Sequence, residues 1–166
     1  MNIKRNALFD QTKKYRYLLT RKWADGNEKI TWIMLNPSTA DAFKDDPTIR
    51  RCIGFSQKWG ASNLDIVNLF AYRSTDPRKL YKIDDPIGAK NDEIILNSTK
   101  NAKKIIIAWG NHGILYDRDK YVLSNLLKEY SNKIYILKRL KSGQPGHPLY
   151  IPYNTKLMLW SKYEED

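Results

Sequence analysis

Apolar residues in this chain switch repeatedly between the two-residue spacing of strands and the wider spacing of helices, and each switch marks an element. Tyr15–Trp23 and Lys29–Leu35 are β-rich runs joined across Asp25-Gly26, a pair that favours a hairpin turn. Asp46-Pro47 opens a helix, with Asp46 as N-cap and Pro47 at the first helical position. Ile49, Ile53, Phe55 and Trp59 give that helix a buried stripe, and Gly60 ends it. Leu64–Ala71 is the next strand, followed by a loop through Asp76-Pro77 and Asp85-Pro86. A helix over Asn91–Asn101 and a strand over Lys104–Trp109 come next. A third helix covers roughly Arg118–Tyr130, with Val122, Leu123, Leu126 and Leu127 facing inward, and leads into the strand Lys133–Leu137. A short segment around Thr155–Tyr163 has helical character.

Strands alternating with helices imply a mostly parallel sheet covered on both faces, a three-layer α/β sandwich, here carrying an N-terminal β-hairpin. No repeat, linker or low-complexity tract divides the chain, so residues 1–166 read as a single α/β domain. In such a sheet the carboxyl ends of the parallel strands open on one rim, where ligands bind. Four polar strand ends fall there: Leu35-Asn36-Pro37-Ser38, Val67-Asn68-Leu69-Phe70, Trp109-Gly110-Asn111-His112-Gly113, and the loop Gly143-Gln144-Pro145-Gly146-His147-Pro148.

Charge narrows the partner. With 29 Lys and Arg against 18 Asp and Glu, the formal net charge is +11, which favours a polyanion, nucleic acid first. A lysine-rich solvated surface gives the same number. The basic residues are dispersed, in Lys13-Lys14-Tyr15-Arg16, Arg50-Arg51, Arg78-Lys79, Lys103-Lys104 and Lys138-Arg139-Leu140-Lys141, the last leading into the His147 loop. No apolar run approaches the roughly 18 residues of a membrane span, and no signal peptide is visible behind Met1-Asn2-Ile3-Lys4-Arg5. Cys52 is the one cysteine, which excludes an internal disulfide and an all-cysteine metal site and fits a reducing cytosol. No short His-x-x-x-His spacing points to a metal, so the site is expected to work without metal or cofactor.

The rim residues suggest chemistry. Asn36, Ser38, Thr39 and Asp41 place a carboxamide, two hydroxyls and a carboxylate directly after a strand, with Pro37 stiffening the turn. Asp41, Asp45 or Asp46 could polarise a water as general base, although turn and cap bonding explains Ser38, Thr39, Asp41 and Asp46 equally. Asn68 offers donor and acceptor together, which suits the edge of a base or a buried structural role. Phe43, Phe70 and Tyr72 could stack on a planar ligand or fill the core. His112 sits in a tight strand-to-helix turn whose N–H groups could bind an anion. His147, held between Gly146 and Pro148, could donate a hydrogen bond to a developing oxyanion.

In their order, these loops resemble the uracil-DNA glycosylase superfamily. The matching residues are Leu35-Asn36-Pro37, Val67-Asn68, Trp109-Gly110-Asn111-His112 and His147-Pro148. The resemblance implies a glycosylase-like fold, water positioned by the Asn36-Pro37 loop, a base read by Asn68, and a histidine at His147. The chain departs where Leu149 and Tyr150 follow His147-Pro148, because that superfamily places a phosphate-gripping serine there. The chain also resembles, more closely, a bacterial and phage family of domain-of-unknown-function proteins, number 1643, over about residues 15–151. That likeness rests on Met34-Leu35-Asn36-Pro37-Ser38-Thr39-Ala40-Asp41, Asp46-Pro47-Thr48-Ile49-Arg50-Arg51-Cys52, Asn68-Leu69-Phe70-Ala71 and Trp109-Gly110-Asn111-His112-Gly113.

The expectation is a nucleobase-recognising DNA-binding protein that excises a uracil-like or otherwise modified base. Asn36, Asp41 and His147 would carry the chemistry. Pro37, Ser38, Thr39, Phe43, Asn68, Phe70, Trp109, Gly110, Asn111, His112 and Pro148 would hold the substrate. Arg50, Arg51, Lys138, Arg139 and Lys141 would hold nucleic acid. Two rivals stand beside it: a non-catalytic nucleic-acid or nucleotide-binding module, and an enzyme acting on a free nucleotide.

Overall fold

The structure, a computed structural model, describes residues 2–160. It is an α/β fold around one mixed, seven-stranded sheet. The strands are β1 (Lys4–Phe9), β2 (Arg16–Lys22), β3 (Lys29–Met34), β4 (Asn63–Asn68), β5 (Lys104–Ile107), β6 (Ile134–Ile136) and β7 (Met158–Leu159). They lie in the order β1-β2-β4-β3-β5-β6-β7. The run β4-β3-β5-β6 is parallel, and β1, β2 and β7 flank it antiparallel. The expected mostly parallel sheet is therefore corrected to a mixed one.

The hairpin across Asp25-Gly26 is also corrected, because β4 lies between its two arms. Lys22 and Lys29 both sit opposite Asn63, one on each side of β4. The connecting turn is sewn to the start of that strand: Trp23 and Ala24 donate to Ser62 O, and Ser62 donates to Glu28 O. β3 is buried from Ile30 to Met34 and so demands a strand on both sides. The N-terminal hairpin is instead β1 with β2. β1 is mostly exposed and basic, an edge strand with no apolar alternation to announce it.

Helix α1 (Pro47–Lys58) begins as its sequence dictates, with the Asp46 carboxylate accepting from Ile49 N at 2.9 Å. It covers one face, packing Ile49, Cys52, Ile53 and Phe55 with Leu19, Trp32, Met34, Ile66 and Ala108. Helix α2 (Asn91–Lys100) covers the other face, where Ile95 packs with Ile33, Val67, Ile105 and Ile107. The third helix is broken. Its α-helical part, α3, spans only Arg118–Tyr121 and then widens, so that Leu127 N bonds Val122 O, before tightening over Lys128–Lys133. That wider turn brings Val122, Leu126 and Leu127 together into the α2-side core. The helix expected around Thr155–Tyr163 is corrected for its described part: Met158 and Leu159 pair with Ile136 and Tyr135, and residues 161–163 lie outside the described residues.

The parallel strands follow the chain as second, first, third, fourth across the sheet. β3 leads to α1 on one face, whereas β4 and β5 lead to α2 and α3 on the other. Loops leaving β3 and β5 thus part in opposite directions and open a crevice between them. Among the described residues, no helix is long and apolar enough to cross a membrane.

Candidate functional site

The crevice holds a cavity of about 350 Å³. It lies at the carboxyl end of β3, β4 and β5, on the α1 side of the sheet. Met34, Ile49, Ile66 and Trp109 give it apolar walls, and Asn36, Pro37, Ser38, Asn68, Gly110, His112 and His147 line it as well. The structure therefore gathers residues from all four polar strand ends around one space.

Alternation along β4 explains Asn68. Leu64, Ile66 and Asn68 share the α1 side; Ile66 and Asn68 line the cavity, and Asn68 is the polar one of the two. Its backbone is clamped from behind: Asn91 Nδ2 donates to Asn68 O and Leu69 O, and Arg118 Nε donates to Leu69 O. Asn68 is 1% exposed, yet neither its Nδ2 nor its Oδ1 has a partner among the described residues. Burial of an unpaired amide costs about 1–3 kcal/mol by mutational scales, and here both ends are unpaired.

Arg16 is the residue that sequence reading placed only among the dispersed basic groups. Residues 16 and 18 of a regular strand share a face, but Leu18 packs on the α2 side while Arg16 donates to Ala40 O at 3.0 Å on the α1 side. A β-bulge separates them, since Leu8 pairs with Leu18 and Phe9 with Arg16, leaving Tyr17 as the extra residue. The bulge turns Arg16 into the cavity wall. Arg16 is 2% exposed, its Nε has no partner, and it forms no ion pair among the described residues. Burial pulls its pKa down to about 10, against the attraction of Asp46.

His147 ends a small hairpin rather than an open glycine-rich loop. Leu140 and Gln144 pair, Gly146 N donates to Lys138 O at 2.7 Å, and Gly110 N donates to Pro145 O at 2.8 Å. Gln144 pins this hairpin to the β5 loop by accepting from Trp109 Nε1 and donating to Asp119. Leu149 N donates to His147 Nδ1 at 3.2 Å, so the neutral ring carries its proton on Nε2. Burial lowers the His147 pKa below its ordinary value of 6.5, with Asp46 opposing the shift. The ring is held neutral, as a donor.

The carboxylate in the cavity is Asp46, not Asp41. Asp41 turns outward and accepts from Phe43 N and Lys44 N, bonds that hold its carboxyl below the usual carboxylate range. Asp45 pairs with Arg21. Asn36 spends its Nδ2 on Pro37 O and Ser74 O, which fastens the β3 loop to the Ser74–Pro77 segment. That segment also lines the cavity, and no motif in the sequence marked it.

Other expected site residues lie elsewhere. Phe70 is fully buried in the α2-side core, so it cannot stack on a ligand. Phe43 is 86% exposed, well outside the cavity. Asn111 accepts from Ser142 Oγ, and Pro148 O accepts from Arg51 Nε. Arg51 lies over the Phe55 and Tyr153 rings and donates to Ile151 O, which makes it a clasp for the C-terminal segment. Arg139 lies over Trp160. Arg50, Lys138 and Lys141 are exposed. Thr39 belongs to a neighbouring groove of about 380 Å³ with Lys13, Lys14, Tyr72 and Arg73. That groove shares Ser38, Ser74 and Thr75 with the cavity, so the two adjoin. Lys22, Lys29, Lys100 and Lys103 gather at the opposite end of the sheet. Among the described residues, no group of three or more His, Cys, Asp or Glu could hold a metal ion.

Fold and site together define an α/β protein with a ligand-sized cavity at the switch point of a mixed sheet. Over residues 16–149 the chain matches the family described as Protein of unknown function (DUF1643), and it belongs to that family. No curated protein and no solved structure matches the chain.

Proposed function

We propose that the cavity takes a nucleobase turned out of a DNA strand and that the protein hydrolyses its N-glycosidic bond. The observation that carries this reading is Asn68, a buried amide with donor and acceptor both unpaired at the wall of a cavity whose other faces include Met34, Ile49, Ile66 and Trp109. A flat heterocycle with a polar edge supplies what that amide lacks, and Met34, Pro37, Ile49 and Trp109 supply the contact for its faces. The cavity is larger than a single base and accommodates part of the attached sugar.

In the reaction, a water attacks C1′ of the sugar while the C1′–N bond breaks and its electron pair leaves with the base. The water's proton passes to the Asp46 carboxylate, and Asn36 Oδ1 orients the same water. The Nε2–H of His147 donates to the oxygen on which the base's negative charge gathers. The strand runs along the Lys13, Lys14 and Arg73 groove at the cavity mouth, where those cations meet its phosphates without requiring the serine absent after Pro148.

The test is incubation with duplexes carrying uracil or other modified bases, followed by alkali cleavage. Strand breaks at the modified position are expected, and they should vanish in Asp46→Asn. If every such duplex binds in a salt-sensitive way and none breaks, excision is refuted and base recognition without chemistry remains.

A further inference from the structure

We propose that the ligand presents an anionic group to Arg16, so that the cavity is a receptor for negatively charged nucleobase ligands rather than neutral ones; this rests on the nucleobase reading above. A buried guanidinium normally has a carboxylate, or oxygens for most of its N–H groups. Arg16 has one carbonyl on one of its three nitrogens, and its buried Nε has nothing. The arrangement is not an accident of strand register, because a bulge is required to turn this side chain into the cavity. The surroundings add to the positive field. Arg21 and Arg73 are close enough to disfavour the Arg16 charge, and Asp46 is the carboxylate that opposes them without forming an ion pair. On the same loop, Asp45 is committed to Arg21, and Asp41 to Phe43 N and Lys44 N.

Arg16 and Asn68 therefore divide the recognition. The amide selects the polar edge of a heterocycle, and the guanidinium selects charge, as a planar fork suited to a carboxylate, a phosphate or an ionised base oxygen. The charge has two sources of the same chemistry: a carboxylate or ionised oxygen on the base itself, or the phosphate of a nucleotide.

Calorimetric titration of the full chain separates them. The probes are the neutral and anionic members of matched pairs: uracil against orotate, and each of the four common deoxynucleosides against its monophosphate, with inorganic phosphate alone beside them. The anionic member of at least one pair should bind about tenfold to a hundredfold more tightly, the range expected of a charge-assisted bond in a buried site. Arg16→Gln should abolish that preference, and Arg16→Lys should keep part of it. Circular dichroism and thermal melting establish that both variants fold. Preference for orotate places the charge on the base, and preference for monophosphates places it on the phosphate. Equal binding within every pair, a preference that survives Arg16→Gln, or no anion bound at millimolar concentration overturns the inference. If phosphate binds through Arg16 and no base-bearing probe binds better than phosphate, the anion site stands and the nucleobase reading falls.

Discussion

Arg16 and Arg21 lie on the same strand, five positions apart, and both are buried, yet the protein treats them in opposite ways. Arg21 Nε meets the Asp45 carboxylate at 2.8 Å, and its other nitrogens donate to Asn6 O, Thr20 O and Asp41 O. Arg16 has Ala40 O and no ion pair among the described residues. The asparagines repeat the contrast in part: Asn91 spends its Nδ2 on two backbone carbonyls and leaves Oδ1 unpaired, whereas Asn68, whose backbone it holds, has neither end of its amide paired among the described residues. A fold able to satisfy Arg21 fully shows that buried cations can be matched here. Asn91 Oδ1 and Asp119 Oδ1 also lack a partner away from the cavity, but among the described residues only Asn68 has an amide unpaired at both ends, and it and Arg16 line the cavity.

The largest expected effect separates the two arginines. Arg21→Ala should destabilise the protein by about 3 kcal/mol, because it strands Asp45 and three carbonyl contacts. Arg16→Met should leave stability unchanged or raise it, since it removes a charge that has no carboxylate. Urea denaturation of both variants measures the difference, and equal losses would erase the contrast. Next, Asn68→Ala should weaken binding of the base-bearing ligand by about 1–3 kcal/mol while the melting temperature stays level, the reverse of what removal of a satisfied core amide does. Asp46→Ala should cost about 1 kcal/mol through the lost cap, and should also remove excision. Asp46→Asn keeps the cap and isolates the second effect.

The smallest effect is a pH slope. His147 binds its proton less readily folded than unfolded, because burial lowers its pKa below 6.5. The unfolded chain then holds more protons just below pH 6.5, so stability is complete above that value and falls as pH drops towards the folded pKa. Replacing His147 with Gln should flatten that segment of a melting-temperature profile, and an unchanged slope would place its cause elsewhere.

How much of this was legible in the sequence depended on whether the signal was local. α1 followed from Asp46, Pro47 and the stripe of Ile49, Ile53 and Phe55, all within one helix. Asn36, Asn68, His112 and His147 were readable as strand-end residues, and they do meet around one cavity. Arg16 was not readable, because its direction depends on how Leu8 and Phe9 of another strand pair with it. The partner of β2 was lost in the same way: Asp25-Gly26 is a good local turn, but β4, about forty residues from β2, supplies the bonds. Phe70 looked like a stacking residue from its position and proved to be core, since the strand ends at Asn68 and the alternation breaks there, with Leu69 and Phe70 both in the α2-side core.

On the proposed reading, the unpaired amide of Asn68 takes the edge of a base. A ¹H–¹⁵N spectrum tests it through the side-chain NH₂ pair of Asn68, identified by its disappearance in Asn68→Ala. Adding an oligonucleotide with one unpaired base should move that pair, and the same strand with an abasic site at that position should leave it in place. A pair that moves equally with both strands, or with neither, would contradict the account.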